Sequence, residues 1–441
     1  MVSDPADESD SAYRPEAGGL ALSGFRAVFK IRSFRSLFWG QAISALGDWV
    51  GTLAFIVAAD RLSHGKPLAV TAVLVLRLIP TFFATPIGGV LSDRWDRKRI
   101  MIGSDLARFV LIFATPFVPY LWALYLFAFA HESFSLVFLP ARDASIPNVV
   151  GPDDLEAANA LVMGSSFAGI PLSGPIFAIL AWAGSHYPLW LHLEHVFRAR
   201  PYSFAFVFDA FTFLVSAAAI SHMSLPKHIH TDADDQPFFA SAREGVVFIR
   251  RTPLLRSLAY AVTMGMLGGG VLFALGIGYI HHTLRGNDVT FGWLMGLFGA
   301  GMLVGFLVSQ IKTEHGFVWM LRVSIFITGA VLIVMAVITK LWLAYMMAVV
   351  FGAAFSVDVI VAMSRAQAMT ADDIRGRVMG VVHMLVRGAL VGGALASAVI
   401  GQVFRGGLNT FGAHSDANQV ALLIAGSLIA IGAVGVRTAS R

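Results

Sequence analysis

Asp48, Arg77, Asp105, Arg108, His131 and Glu132 are ionisable residues set inside long apolar runs. A charge held away from water needs a partner or a task, and one recurrent task is to take up and release a proton. Asp48 and Arg77 fall at similar depth in consecutive runs, at about 1.5 Å of helical rise per residue, so they are placed to meet. Two readings stay open for them. Either Asp48 binds a proton and Arg77 tunes it, or the two form a static ion pair that fixes how their helices pack. Asp105 and Arg108 stand three residues apart, share a helix face and read as an internal supporting pair near the water boundary. His131 and Glu132 are adjacent and point about 100° apart on a helix, so one partner cannot serve both. Glu132 then reads as a protonatable group with His131 as its titratable neighbour.

The second half of the chain repeats the theme more sparsely. Asp358 lies in one apolar run, and His383 and Arg387, four residues apart on one helix face, lie in the next. Together with Gly269, they are candidates for lining a substrate pocket. The competing reading is that each merely bonds a neighbouring helix, as Asp209 does equally well, for under about 2 kcal/mol. Gly265 and Gly268-Gly269-Gly270 predict a deformable helix. Gly292/Gly296 and Gly301/Gly305 have the small-xxx-small spacing that lets helix backbones approach. Phenylalanines such as Phe82, Phe83, Phe127 and Phe129 either fill the interior or line a cavity for a large apolar ligand. His186, His192, Glu194 and His195 share the segment 184–201 and offer metal-ligand atoms, but without a fixed helix or strand to set their spacing a metal site is the weaker reading. Trp182 and Trp190 make that segment an interfacial helix instead.

The elements that carry these residues follow from composition. Of 441 residues, 57% are hydrophobic and 13% charged, and the mean hydropathy of +0.73 exceeds that of a soluble globular chain. Crossing about 30 Å of hydrocarbon takes roughly 20 apolar residues. Twelve runs qualify: Phe38 to Ala59, Leu68 to Leu91, Ile100 to Val118, Tyr120 to Pro140, Ala158 to Ala183, Phe204 to Met223, Leu254 to Ile280, Phe291 to Ile311, Val318 to Ile338, Leu341 to Met363, Val378 to Phe404 and Gln419 to Val436. Cysteine is absent, which excludes disulfides and thiolate metal sites. The pI near 9.6 reflects topology rather than nucleic-acid binding. Placing both termini in the cytoplasm gives that side Arg26, Lys30, Arg32, Arg35, Arg94, Arg97, Lys98, Arg99, Arg142, the basic residues of the stretch from Lys227 to Arg256, Lys312, Arg322, Arg365, Arg375, Arg377 and Arg437. The other side keeps only Arg61, Lys66, Arg198, Arg200, Arg285, Lys340 and Arg405. Residues 1–24 are acidic, lack the order of a cleavable signal and read as a disordered cytoplasmic tail.

The chain also repeats at about half its length. Phe34-Arg35-Ser36-Leu37 echoes Leu255-Arg256-Ser257-Leu258, and Asp153-Asp154-Leu155 echoes Asp372-Asp373-Ile374. This predicts an all-α membrane protein of twelve transmembrane helices in two pseudo-symmetric six-helix bundles, 25–224 and 253–436. A cytoplasmic linker, 225–252, joins them and a short tail, 437–441, ends the chain. The densest charge cluster, Gly89 to Arg99 with Asp93, Arg94, Arg97 and Lys98, occupies the tight hairpin between the second and third runs. Its second-half counterpart has Ser309 where Asp93 stands.

That hairpin closely resembles the signature loop of the major facilitator superfamily, Gly-x-x-x-Asp-Arg-x-x-Arg-Lys/Arg. Phe34 to Gln41 leading to Gly47-Asp48, Arg77-Leu78-Ile79-Pro80, Asp105 to Arg108, Ile146-Pro147 and Arg375 to Gly380 extend the likeness. Together they resemble the branch that holds the enterobactin exporter and macrolide efflux proteins. The resemblance implies a monomeric, inner-membrane secondary transporter that exports an amphipathic organic compound by proton antiport and alternating access, with lipid around it and no cofactor. It also implies a gate built from Gly89, Asp93, Arg94, Arg97, Lys98 and Arg142, with Asp93 facing the start of the eleventh helix, where Thr370-Ala371-Asp372-Asp373 reads as a capping box. Gly174-Pro175 partly resembles the glycine-proline motif of antiporters. The fourth run departs from the family pattern, since it lacks the arginine of Arg-x-x-x-Gly found in many proton-coupled exporters, and Glu132 is the substitute. An importer or facilitator of a lipid-like or small metabolite is the alternative, and a non-transporting sensor or scaffold a further one. No Walker loop, HExxH or Ser/His/Asp arrangement points to an enzyme.

Overall fold

The computed structural model describes residues 25–151, 154–186, 200–225, 238–311, 316–404, 408–410 and 413–436. The expectations for the two tails, for most of the 184–201 segment and for the linker residues before 238 fall outside the described residues. So do the side chains of Gly89, Asp93, Asp372 and Asp373.

The helices are α1 (Arg32–Leu62), α2 (Pro67–Leu78), α3 (Ala84–Arg94), α4 (Arg97–Ala114), α5 (Leu121–Val149), α6 (Leu155–Ser185), α7 (Ser203–Ser221), α8 (Phe238–Arg251), α9 (Pro253–Gly278), α10 (Asp288–Ser309), α11 (Gly316–Val337), α12 (Leu341–Ala368), α13 (Asp372–Val403) and α14 (Ala417–Gly432). Among the described residues, eleven helical segments are long and apolar enough to cross a membrane. The remaining predicted run, Leu68 to Leu91, is not one helix. It breaks into α2, a 3-10 turn over Ile79–Phe82 and α3. Pro80 has no N–H to continue the helical ladder, which accounts for the break just after Arg77.

Two further features depart from the sequence reading. The predicted linker contains α8, an amphipathic helix that lies on α13, where Glu244 pairs with Arg377. A short antiparallel hairpin, β1 (Leu408–Thr410) and β2 (Ala413–Ser415), interrupts an otherwise all-α fold.

Close packing follows the glycines. A Cβ at Gly292 would stand 2.8 Å from Ala178 N, and one at Gly296 would stand 2.6 Å from Pro175 Cδ, so these two glycines seat α10 on α6. Gly301 and Gly305 face the Val349 and Ala353 backbone of α12 on the other side. Gly174-Pro175 is therefore part of the α6–α10 contact. The glycine-rich stretch of α9 is an unbroken helix, with Gly268 against Thr328, Gly269 against Phe355 and Gly270 against Leu390. Outward-facing Leu307, Val337, Ile431 and Val434 are exposed, the arrangement that lipid stabilises and water does not.

The end bearing the Trp95-Asp96 turn is the hairpin end, and the end bearing the turn at 63–66 is the far end. Thr71 donates to Ala394 O at 3.2 Å, and Arg387 to Thr81 Oγ1 at 2.8 Å. These two bonds, with the α6–α10 contact, join the N-terminal and C-terminal halves between mid-depth and the far end.

Candidate functional site

Four helices of the first half converge at mid-depth. Asp48 comes from α1, Arg77 from the last turn of α2, Asp105 and Arg108 from α4, and His131 and Glu132 from α5. Asp209 of α7 closes the back.

The predicted meeting of Asp48 with Arg77 is corrected. Arg77 Nε lies 3.0 Å from Glu132 Oε2, and Arg77 Nη1 donates to Thr52 Oγ1 at 2.6 Å. Asp48 instead has His131 Nε2 at 3.1 Å from Oδ1 and Arg108 Nη1 at 3.8 Å from Oδ2. The angular argument for His131 and Glu132 is realised: the two neighbours turn to different partners on different helices.

Asp105 and Arg108 do pair on one face of α4. They are fully buried rather than near water, at 0% and 3% exposure. The Arg108 guanidinium lies 4.7 Å from the Phe138 ring centre and 4.4 Å from that of Phe213, so it is sandwiched as well as ion-paired.

Asp209 enters through packing that sequence spacing disguised. Gly47 and Gly51 of α1 lack the side chains that would collide with its carboxylate. Its Oδ1 has no hydrogen-bond partner among the described residues. Side-chain ligand atoms of Asp48, His131 and Asp209 all lie within 4.8 Å of one another. The Gly-x-x-x-Gly spacing at 47 and 51 was the available signal for this approach. Thr52 and Ser135, which hold Arg77 and Arg108, carried none.

The cluster opens into a cavity of about 250 Å³ lined by Gln41, Asp48, Thr52, Arg77, Glu132 and Arg142, among others. Its charges do not balance. With every carboxyl ionised, Asp48, Asp105, Glu132 and Asp209 would give four negative charges against two positive from Arg77 and Arg108, a deficit of two with His131 neutral. Such an excess is costly away from water, so the site favours the uptake of cations, protons being the smallest.

The hairpin-end residues are organised around the turn. Asp96 caps α4 by accepting from Arg99 N at 2.8 Å. Arg97 Nη1 donates to Ala144 O at 2.6 Å, and Lys98 Nζ to Met223 O at 2.7 Å. Arg142 pairs with Asp143 at 2.7 Å, and Arg94 is exposed. The start of α13 differs from the predicted capping box, because its N-cap is Ala371, which has no capping side chain. Thr370 instead donates back to Ala366 O at 2.7 Å, at the end of α12.

The second-half candidates do not form one cluster. Asp358 is 0% exposed and lies under Gly265, with neither carboxylate oxygen hydrogen-bonded among the described residues. It does not line the cavity. Gly269 is packed against Phe355. His383 is exposed, its Nδ1 2.7 Å from Met379 O, whereas Arg387 reaches across to Thr81.

The family model of the Major Facilitator Superfamily matches residues 37–392. The chain is 27% identical over 283 residues to the uncharacterized MFS-type transporter YfiS of Bacillus subtilis, a match covering 62% of each protein and so just under two thirds of that relative's length. It is 24% identical over 360 residues to the putative bacilysin exporter BacE of the same organism, covering 79% of this chain and 83% of that one. It is also 24% identical over 416 residues to the enterobactin exporter EntS of Escherichia coli, covering 92% of each. Among solved structures, a bacterial homologue of the human lysosomal transporter Spinster superposes with a TM-score of 0.72 at 14% identity, over 93% of this chain and 96% of that one. At that identity the likeness is one of fold.

Proposed function

Because this chain belongs to the major facilitator superfamily, and is a membrane transporter rather than an enzyme, we propose that it is a proton-coupled exporter of an amphipathic organic compound. The charge deficit of the mid-depth cluster carries this reading. Four carboxylates share two guanidiniums and one imidazole beside a cavity, so the site holds protons in number, and a change in its exposure to water changes how many it holds. Asp48 and His131, in contact at 3.1 Å, are the proton pair. Glu132, locked to Arg77, reports on the position of α2 relative to α5. Arg108 anchors the cluster, and Asp105 anchors Arg108.

In this reading twelve crossing elements form two six-helix bundles, 25–224 and 253–436, joined by the 225–252 linker. The broken α2/α3 element counts as one crossing. Both termini are cytoplasmic, the protein works as a monomer in the inner membrane, and no cofactor is used. The halves meet towards the far end, while the cavity runs from Thr52 to Arg142 near the hairpin end, as in a state open to the cytoplasm. Asp93 and Gly89, with Arg94, Arg97, Lys98 and Arg142, form the gate that closes that end in the opposite state. Two relatives bear the names of exporters, of bacilysin and of enterobactin, which supports outward movement of a mid-sized polar-apolar compound. His383 and Arg387 are the second-half residues placed to meet it.

The test uses purified protein in proteoliposomes with an imposed pH gradient, screened against a panel of amphipathic compounds for substrate-induced proton movement. Coupled, opposite movement of proton and compound supports the proposal. Compound movement indifferent to the gradient replaces it with a facilitator, and movement in the same direction as protons replaces it with an importer.

A further inference from the structure

At the far end, four ionisable side chains from three separate elements meet. Asp60 and Arg61 end α1, His281 sits in the π-helical turn Tyr279–Thr283 that follows α9, and Asp288 opens α10. His281 Nδ1 lies 2.9 Å from Asp60 Oδ2, and its Nε2 lies 3.1 Å from Asp288 Oδ1. Arg61 Nη2 reaches the same Asp288 oxygen at 2.8 Å. Asp60 and Asp288 are nearly sealed, their side chains 5% and 4% exposed, whereas His281 is 13% and Arg61 47% exposed. The carboxylates are therefore held inside while the cations reach towards water.

The hydrogen-bond chemistry of this arrangement is restrictive. An ionised carboxylate only accepts, and a neutral imidazole donates from one nitrogen alone. A neutral His281 would turn a lone pair on one of its two carboxylates. With both nitrogens protonated, both contacts are donor to acceptor and the cluster is electrically neutral, two positive charges against two negative. Without that proton it carries a net negative charge in a nearly dry pocket.

The surroundings hold His281 in place. The π turn is closed by Leu284 N donating to Tyr279 O at 3.0 Å and Gly286 N to Ile280 O at 2.8 Å. Thr283 donates to Asp416 at 2.5 Å, tying the turn to the start of α14. Gly65, with φ +78° and no Cβ, lets the turn after α1 rest on the His282 ring. Among the described residues, the charged or titratable groups around the imidazole thus include Asp60 and Arg61 from α1, Asp288 from α10, Tyr202 just ahead of α7, which lies in the field of Asp288 and Arg61, Tyr279 and His282 on its own turn and, beyond Thr283, Asp416.

We propose that His281 is a second proton-binding site, separate from the mid-depth cluster, and that its bound proton latches α1 of the N-terminal half to the π turn and α10 of the C-terminal half. The sign follows from the geometry. Acid on the far side holds this end shut, and loss of the proton as pH rises removes one of the two cations bridging the halves and frees them to part. The far gate thereby senses the pH of the compartment it faces, whichever residue carries the coupled proton.

The chain has no cysteine, so Lys66→Cys and Lys340→Cys, both exposed far-end positions in opposite halves, place a spin-label pair without background. Distances are read on the full-length protein in lipid nanodiscs from about pH 5 to about pH 11, a range wide enough to cover an imidazole set between two carboxylates. A longer-distance population should grow as pH rises. His281→Gln should show that population at every pH, and Asp48→Asn should leave the transition in place. A pH transition unchanged by His281→Gln, or one abolished by Asp48→Asn alone, overturns the proposal. Nitrogen-15 spectra of histidine-labelled protein, with His281→Gln supplying the assignment, test the same point without relying on the variant's gating. Two protonated ring nitrogens on His281 at acid pH are required, and a neutral ring there defeats the latch.

Discussion

Arg77 and Glu132 form an ion pair of 3.0 Å between the last turn of α2 and the middle of α5, at the point where the second crossing element breaks. The pair uses the arginine that sequence spacing assigned to Asp48. Asp48 is thereby left to His131 and Arg108, and its side chain, 28% exposed, lines the cavity alongside Arg77, Arg108 and Glu132.

Separation of these partners makes the two acids distinguishable. Asp48→Asn should abolish pH-gradient-driven transport while substrate binding persists, because only the proton-linked step is removed. Glu132→Gln should lower both, by about tenfold or more, since it leaves the Arg77 cation without its carboxylate. Transport in proteoliposomes and binding to purified protein, measured side by side, check the contrast. Full gradient-driven transport by Asp48→Asn would remove it from the coupling site.

Arg108 should matter most for stability. It is 3% exposed, pairs with Asp105 and stands between two phenylalanine rings. Arg108→Met should destabilise the protein by about 3–5 kcal/mol, the cost of leaving a buried charge without its partner. Thermal unfolding in detergent reads this. Arg108→Met combined with Asp105→Asn should recover part of the loss, which a purely steric role for Arg108 would not allow.

The α10–α12 contact predicts a sharp positional contrast. Gly301→Val would drive a side chain into the Val349 backbone and should cost about 1–3 kcal/mol. Gly103→Ala, at a helix position with open space around the missing Cβ, should gain about 0.5–1 kcal/mol. Paired unfolding curves decide it, and equal effects at the two positions would mean that helix propensity alone sets them.

Asp358 presents the opposite case, a fully buried carboxyl group with no hydrogen-bond partner for either oxygen among the described residues. Asp358→Leu replaces both unpaired oxygens with methyl groups of the same branching and should raise stability by about 1 kcal/mol or more, with gradient-driven transport retained. A lower unfolding temperature would reveal a stabilising partner for the carboxylate. Loss of coupling would make Asp358 part of the proton path.

The sequence by itself determined the class of the molecule and the location of its charges. Length and continuity of the apolar runs fix membrane-crossing helices, because backbone groups in hydrocarbon must be satisfied within each segment. Local spacing also fixed what depends on one helix, such as the Asp105–Arg108 pair on one face of α4 and the divergence of His131 from Glu132. The break after Arg77 was foreshadowed by Pro80, yet an apolar run reads the same whether or not it bends. Tertiary structure alone decided the partners. Depth along a helix is set by a constant rise and can be counted, but the rotation of one helix against another depends on packing at sites such as Gly47 and Gly51. That rotation gave Arg77 to Glu132 and Asp48 to His131, and it enclosed Asp358. The far-end latch was the least legible feature. Asp60 and His281 stand 2.9 Å apart in space but about half the chain apart in sequence, and each reads there as an ordinary polar residue at a helix end.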